Sequence, residues 1–241
     1  MTTLNTWNEN PDAETADYHR RQWATPYRST VHFAKFIDDK IRDSQKVVDA
    51  GCGLGAPTWY LAQKYPHCRF WGLDVSEKLI WEASGRQGLP TNLSYEADTL
   101  TSLRIRFDID GVTLIQVLSW LPGYELALHQ IATRLRPKWL AFSTLMYEHN
   151  IDCKIVVTEH DRPRQSYYNV YGLPRMKSFM QGEGYELAKF EEFKIDQDLP
   201  KPTDSNIMGT YTLSFGNERL QCSGPLLLPW HFVLFERTHV D

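Results

Sequence analysis

The sequence predicts an α/β fold in which a doubly wound, parallel sheet of about seven strands is covered by helices on both faces. Short stretches rich in β-branched and aromatic residues alternate with segments of helical periodicity from Lys46 to Leu145. Such alternation builds parallel sheets through crossover helices. At the first junction, Val47-Val-Asp-Ala-Gly-Cys-Gly-Leu-Gly55 sets three alternating glycines between a strand and a helix. Glycines at such a turn permit positive φ and let backbone N–H groups approach a ligand without Cβ interference.

Taken in order, residues 1–10 are rich in Asn and Thr and read as disordered. From Ala13 to about Ile41 the pattern is helical, with Val31, Ala34, Ile37 and Ile41 on one face and Pro26 dividing two segments. Lys46–Ala50 is the first strand, and Ala56–Tyr65 is a helix that accepts Pro57 in its first turn. Arg69–Leu73 is a second strand, ending at Asp74, and Ser76 is placed to cap the helix carrying Leu79, Ile80 and Ala83. Leu93–Ala97 closes on Asp98, and Gly111–Leu118 is an apolar run of the buried-strand kind. Tyr124–Arg136 is an amphipathic helix stopped by Pro137, followed by a strand over Trp139–Leu145. Residues 147–171 show no clear periodicity. A helix is expected over Pro174–Gln181, a strand over Tyr185–Ile195 and a turn-rich connection over Pro200–Asn206. Thr210–Phe215 and Arg219–Cys222, split by Gly216-Asn217, read as a late β-hairpin, and Trp230–Phe235 as the last strand.

The 241 residues and 42% hydrophobic content suffice for one elaborated domain. With 26 basic and 30 acidic residues the net charge is −4, which offers no electrostatic footprint for nucleic acid. The short basic groups His19-Arg20-Arg21 and Arg162-Pro163-Arg164 read as a solvated face or loop. No secretory signal and no apolar run long enough for a membrane span are visible. Cys52, Cys68, Cys153 and Cys222 are scattered without metal spacing, and no other metal constellation stands out. The expectation is a reduced, cytoplasmic protein.

The glycine loop alone leaves two ligands open. Gly51, Gly53 and Ala56 satisfy a dinucleotide fingerprint, with Asp74 lying 23 residues beyond Gly51. Asp49, however, sits two residues before the first glycine, where a carboxylate would repel a pyrophosphate and suit an ammonium group. Gly55 continues the alternation, and a further carboxylate, Asp98, ends the third strand.

With these features in place the chain resembles the class I S-adenosylmethionine-dependent methyltransferases. The matching pieces are Val47–Gly55, Trp71-Gly-Leu-Asp74, Glu96-Ala-Asp98, Ile115-Gln-Val-Leu118 with Leu121-Pro122, and Leu135-Arg-Pro-Lys138, in family order over about residues 45–145. The resemblance implies a Rossmann-like sheet, S-adenosyl-L-methionine as cofactor and S-adenosyl-L-homocysteine as product. It divides the chain into an N-terminal helical cap (1–44), a cofactor-binding core (45–145) and an acceptor or lid region with the last strands and hairpin (146–241). It assigns Asp49, Gly51 and Gly53 to the methionine amino and carboxylate groups, with Gly55 completing the loop. Asp74 would accept the ribose hydroxyls and Asp98 the adenine amine. Leu54, Val75 and Thr99 would pack on the ligand or offer backbone groups, and Gln116 would lie beside the methionine portion. Cys52 is expected to be a buried filler.

Methyl transfer from a sulfonium is an in-line displacement, so the protein mainly aligns the reactants and excludes water. A base is needed chiefly for an alcohol acceptor. Many relatives carry a Glu-His or similar pair after the fourth strand, where this chain has Ser119-Trp120. Trp120 would therefore wall the acceptor pocket, with Tyr18, Trp23 and Tyr147, and Tyr27 is a further cover residue. His149 is the favoured base, from a set that includes Glu148, His160, Tyr18 and His19. Arg175, at a lid-to-helix junction, either grips an anion or stays solvated. The expected activity is methyl transfer to an oxygen or nitrogen of a small polar acceptor (sugar, metabolite or natural product), with a protein or peptide acceptor as runner-up. An NAD-dependent oxidoreductase and a non-catalytic cofactor-binding protein are the rivals from other classes. No nucleic-acid or membrane partner is expected, and a homodimer stays open.

Overall fold

A computed structural model describes residues 5–6, 20–43, 45–104, 108–160, 164–203 and 208–238. Its centre is a sheet of seven principal strands: β1 (Lys46–Ala50), β2 (Arg69–Asp74), β3 (Leu93–Ala97), β4 (Gly111–Ile115), β5 (Trp139–Tyr147), β6 (Tyr185–Glu192) and β7 (Trp230–Arg237). In space they run β6-β7-β5-β4-β1-β2-β3. The five strands β1 to β5 pair in parallel, whereas β7 is antiparallel to both β5 and β6. The strand order reverses beside β1, so β1 and β4 flank the crevice at the carboxyl edge where open α/β sheets bind ligands.

The helices that cover the sheet are α1 (Arg28–Phe36), α2 (Ala56–Lys64), α3 (Glu77–Ser84), α4 (Glu125–Gln130) and α5 (Leu173–Gly182). Two cores result. On one face Leu114, Phe142, Leu128, Met176, Met180 and Phe235 pack against α4 and α5. On the other, Val47, Phe70, Leu61, Phe33, Ile37 and Phe232 pack against α1 and α2. The strands β4 and β5 are buried almost throughout, which is why they read as continuous apolar runs rather than alternating ones. Close approach is built in at Gly111, where an added Cβ would lie 2.0 Å from the Trp139 ring.

Several boundaries differ from the sequence-based expectation. Helical residues 20–24 and α1 lie on either side of Pro26, as expected; residues 13–19 lie outside the described residues, and α1 ends at Phe36 instead of about Ile41. The run over Gly111–Leu118 stops as a strand at Ile115, because Gln116 turns to φ +59° and a 3-10 turn follows over Leu118–Trp120. The strand β6 ends at Glu192. Residues 147–171, expected to be irregular, contain an antiparallel pair, Val156–Glu159 with Arg164–Tyr167, an arm after β5 whose Ile155, Val157 and Tyr168 pack on the core. Within the stretch read as disordered, Asn5–Thr6 run parallel to Arg164–Gln165. The late hairpin forms as expected between Thr210–Phe215 and Glu218–Ser223, with Leu226–Leu227 as a third short strand. No helix among the described residues is long and apolar enough to cross a membrane.

Candidate cofactor and acceptor site

The strand β1 hands over to α2 through a loop whose three glycines all have positive φ: Gly51 +82°, Gly53 +57° and Gly55 +84°. Two of them are also required by packing. A Cβ on Gly51 would come within 2.7 Å of Val117 Cγ2, and one on Gly55 within 2.4 Å of the Tyr95 ring. The Tyr95 hydroxyl donates to the Gly55 carbonyl at 2.8 Å, so β3 ties down the far end of the loop. Sequence reasoning missed Tyr95, because its importance comes from a neighbouring strand. Cys52 is buried beneath the same loop, as expected of a filler.

Asp49 lies under the loop and is 1% exposed. Its two carboxylate oxygens accept hydroxyl hydrogen bonds, from Thr58 in the first turn of α2 (2.5 Å) and from Thr113 on β4 (2.9 Å). Burial pushes its pKa up to about 6; the two hydroxyls pull it down and Asp74 pushes it up further. Asp74 ends β2 half-buried, accepting from the Gly53 N–H at 2.8 Å and the Ser76 N–H at 2.9 Å. Burial raises its pKa as well, against those backbone donors. Neither carboxylate is paired with Lys or Arg among the described residues. The loop therefore sits between two carboxylates that lack a cation. Each Asp74 oxygen, having accepted one N–H, retains a second lone pair for a ligand.

Asp98 is placed differently. It is 4% exposed and holds the following turn, accepting from the backbone N–H groups of Thr99 (2.8 Å) and Arg104 (2.9 Å) and meeting the Arg104 guanidinium at 3.4 Å. It thereby shapes the turn around Thr99 at the end of β3. Val75 is 43% exposed next to Asp74, an open apolar surface beside the strand ends. Gln116 is one of two non-glycine residues with positive φ among the described residues. Its N–H is held by the Ser143 hydroxyl at 2.8 Å and carbonyl at 3.2 Å. A non-glycine residue in this region costs about 1 kcal/mol or more, and strain of this kind collects at functional positions. The sequence carries no signal for it.

Ser119, which stands where many relatives have a base, is fully buried. Its hydroxyl meets Thr144 Oγ1 at 2.7 Å and accepts from the Leu145 N–H at 2.9 Å, bracing the turn after β4 against β5. It is a structural residue. Ser119→Ala is expected to lower stability by about 1–3 kcal/mol, since it leaves a buried N–H without an acceptor. Urea denaturation tests this, and an unchanged midpoint would show that the brace is dispensable. Trp120, half-buried, packs edge-on against Tyr168 at 4.4 Å. Asn169, fully buried, joins the arm to the same turn: its N–H donates to the Ser119 carbonyl, its amide to the Leu121 carbonyl, and its side-chain oxygen accepts from Ile155.

The remaining expected site residues are dispersed around this edge. Tyr147, the last residue of β5, and His149 just past it are exposed, their rings 5.0 Å apart. Glu148 is exposed beside them, and His160 is exposed at the tip of the arm. Trp23 packs on Trp59 of α2 at 5.4 Å with the Arg86 guanidinium 3.9 Å from its ring centre. Its segment is fastened to α3 by a two-point Arg20–Glu82 pair at 2.8 and 3.0 Å, so Arg20 is not simply solvated. Tyr18 and His19 lie outside the described residues. Arg175 is also not simply solvated: Glu125 and Asp152 lie 3.5 and 3.6 Å from its guanidinium.

Residues 48–138, from β1 to the threshold of β5, match the family described as Methyltransferase domain. A curated (S)-coclaurine N-methyltransferase from Thalictrum flavum subsp. glaucum is 29% identical over 126 residues, covering 52% of this chain and 33% of the relative. A trans-aconitate 2-methyltransferase from Deinococcus radiodurans is 38% identical over 96 residues, covering 40% of this chain and 36% of the relative. The chain thus spans about a third of the length of these curated relatives. Among solved structures, the magnesium protoporphyrin IX methyltransferase of Synechocystis PCC 6803 with bound SAH superposes with a TM-score of 0.54 at 15% identity, over 95% of this chain and 89% of that one. The match identifies a methyltransferase domain within this chain, running from β1 to the threshold of β5.

Proposed function

We propose that the protein binds S-adenosylmethionine and transfers its methyl group to an oxygen or nitrogen of a small polar acceptor. The observation that carries this reading is the pair of carboxylates, Asp49 below the glycine loop and Asp74 beside it, which lack a basic partner among the described residues. Such a site disfavours a pyrophosphate and favours a ligand bearing an ammonium and a sulfonium. The donor set fits: free lone pairs on Asp74 suit a ribose diol, and the loop lies at the strand-order reversal.

The cofactor would supply a methyl group on sulfur, already an excellent leaving group. The residues of the chain would orient and enclose it. Asp74 would hold the ribose, and Asp49 would draw the ammonium end toward the loop from below. Val75 and the Thr99 turn would flank the adenine, and Gln116 the methionine portion. Trp120, Tyr147 and the N-terminal segment with Trp23 would bound the acceptor space. His149 would take the proton where the acceptor is a hydroxyl. The relatives named for coclaurine and trans-aconitate support a small acceptor.

Calorimetry with S-adenosylhomocysteine and with NAD(H) tests the cofactor; binding of NAD(H) alone would overturn the reading. A labelled-methyl screen of metabolite pools, with mass identification of the product, tests the acceptor, and label confined to protein would move it to the peptide class. His149→Ala is expected to lower turnover about a hundredfold with S-adenosylhomocysteine affinity unchanged. Near-wild-type turnover on the identified acceptor would remove His149 from the chemistry.

A further inference from the structure

Past the end of β5, away from the glycine loop, the chain forms a cleft of about 470 Å³ lined by Asn150, Asp152, Pro174, Arg175 and Ser178. The loop carrying Asn150 and Asp152 crosses the start of α5 so closely that a Cβ on Gly172 would lie 2.7 Å from the His149 carbonyl oxygen. Three side chains here have unused hydrogen-bonding capacity. Asn150 and Ser178 make no side-chain hydrogen bond among the described residues. Arg175 is 62% exposed, and its neighbours Glu125 and Asp152 stand at 3.5 and 3.6 Å, too far for good hydrogen bonds. Asp152 is itself fixed, its side chain 12% exposed and one oxygen accepting from the Gly172 N–H at 2.8 Å. Behind Arg175 lies the Tyr124 hydroxyl, buried and close enough to interact with the guanidinium.

We infer that this cleft is a subsite for an anionic group, a carboxylate or phosphate, carried by the methyl acceptor. The two flanking carboxylates orient the guanidinium without using up its donors, leaving a planar fork for an oxyanion. The Asn150 amide and the Ser178 hydroxyl supply further donors at the same cleft. Convergent polar groups of this kind set ligand orientation in otherwise open sites. His149 is on the same loop, one residue before Asn150, so an acceptor anchored at Arg175 would present its other end to the edge where the methyl group is delivered. This inference rests on the methyltransferase reading for the word acceptor; the anion subsite itself does not.

The test measures binding directly. Succinate, inorganic phosphate and the neutral succinamide are titrated into the protein saturated with S-adenosylhomocysteine, followed by NMR shifts. Succinate or phosphate is expected to bind and succinamide not, and whichever anion binds more tightly separates the carboxylate from the phosphate source. Arg175→Gln is expected to weaken that binding by about tenfold to a hundredfold, and Ser178→Ala by less, with S-adenosylhomocysteine affinity unchanged in both. Should Arg175→Gln fail to fold, Ser178→Ala with an Asn150→Ala companion carries the same comparison. Anion binding that persists undiminished in these variants, or no anion binding by the wild type, overturns the subsite. Failure of S-adenosylhomocysteine to bind at all would instead strike the methyltransferase reading.

Discussion

Asp74→Ala is expected to weaken S-adenosylhomocysteine binding by about a hundredfold or more. The carboxylate has two tasks. Facing the cleft, it offers one lone pair on each oxygen to the proposed ribose hydroxyls, and charge-assisted hydrogen bonds of this kind contribute about 1.5–3 kcal/mol each. Facing the protein, it accepts the Gly53 and Ser76 N–H groups, which fixes the middle of the glycine loop and the start of α3. Alanine removes both, so the loop loses its tether together with its ligand contact. Asp74→Asn separates them: it keeps the shape and one acceptor oxygen, and should lose less. Calorimetry on both variants, with circular dichroism to verify folding, decides the matter. Wild-type affinity in Asp74→Ala would exclude this carboxylate from the site.

The second large effect has two signs. Asp49→Asn is expected to stabilise the protein at neutral pH while weakening cofactor binding. The carboxyl pKa rises from 3.8 to about 6 on folding, chiefly through burial. A raised carboxyl pKa favours the protonated form in the folded state. Its contribution to stability is therefore complete below about pH 4 and is lost as pH climbs through 6, a difference of about 3 kcal/mol. Asparagine removes that penalty, so the gain should be largest near pH 7.5 and absent near pH 4. The hydroxyls of Thr58 and Thr113 can each turn to serve an amide as readily as a carboxylate. A cationic ligand acts in the opposite direction, because it favours ionised Asp49. Affinity for S-adenosylhomocysteine, whose ammonium group is positive, should therefore rise between pH 5 and pH 7, with release of up to about one proton on binding. Calorimetry in buffers of different ionisation enthalpy reads this proton directly. A pH-independent affinity, or an Asp49→Asn protein no more stable at pH 7.5, would contradict the account.

What could be read in the sequence is what local rules control. The strands β4 and β5 announce themselves because burial on both faces demands runs of apolar residues, whereas β3, at the sheet edge, shows itself by alternation. Ser76 is a cap in the sequence and in the structure, where its hydroxyl accepts from the Leu79 N–H at 3.4 Å. The Gly216-Asn217 turn marked its hairpin. The glycine loop and its carboxylates were visible because their spacing along the chain is short. Hidden were the contacts between residues far apart in sequence. Thr113 reaches Asp49 across 64 positions and Tyr95 reaches Gly55 across 40, and no local pattern records either. The arm over 153–170 escaped because its strands have four residues each, and the apolar run Ile155–Val157 is too short to mark a strand by itself. Arg175 was read as gripping an anion or solvated, since the carboxylates that orient it come from the start of α4 and from the loop after β5.

Asn169 gives the arm a property of its own. The side chain and N–H of that one residue clamp the foot of the arm to the turn after β4, and the Cys153–Val170 bridge closes the foot from the other side. The strands beyond this foot pair with each other, Arg164–Gln165 also pair with Asn5–Thr6, and Val157 packs on the core. The outward positions of the arm, Val156 and Thr158 among them, are exposed, so substitutions there can accumulate while the socket and the core stay as they are.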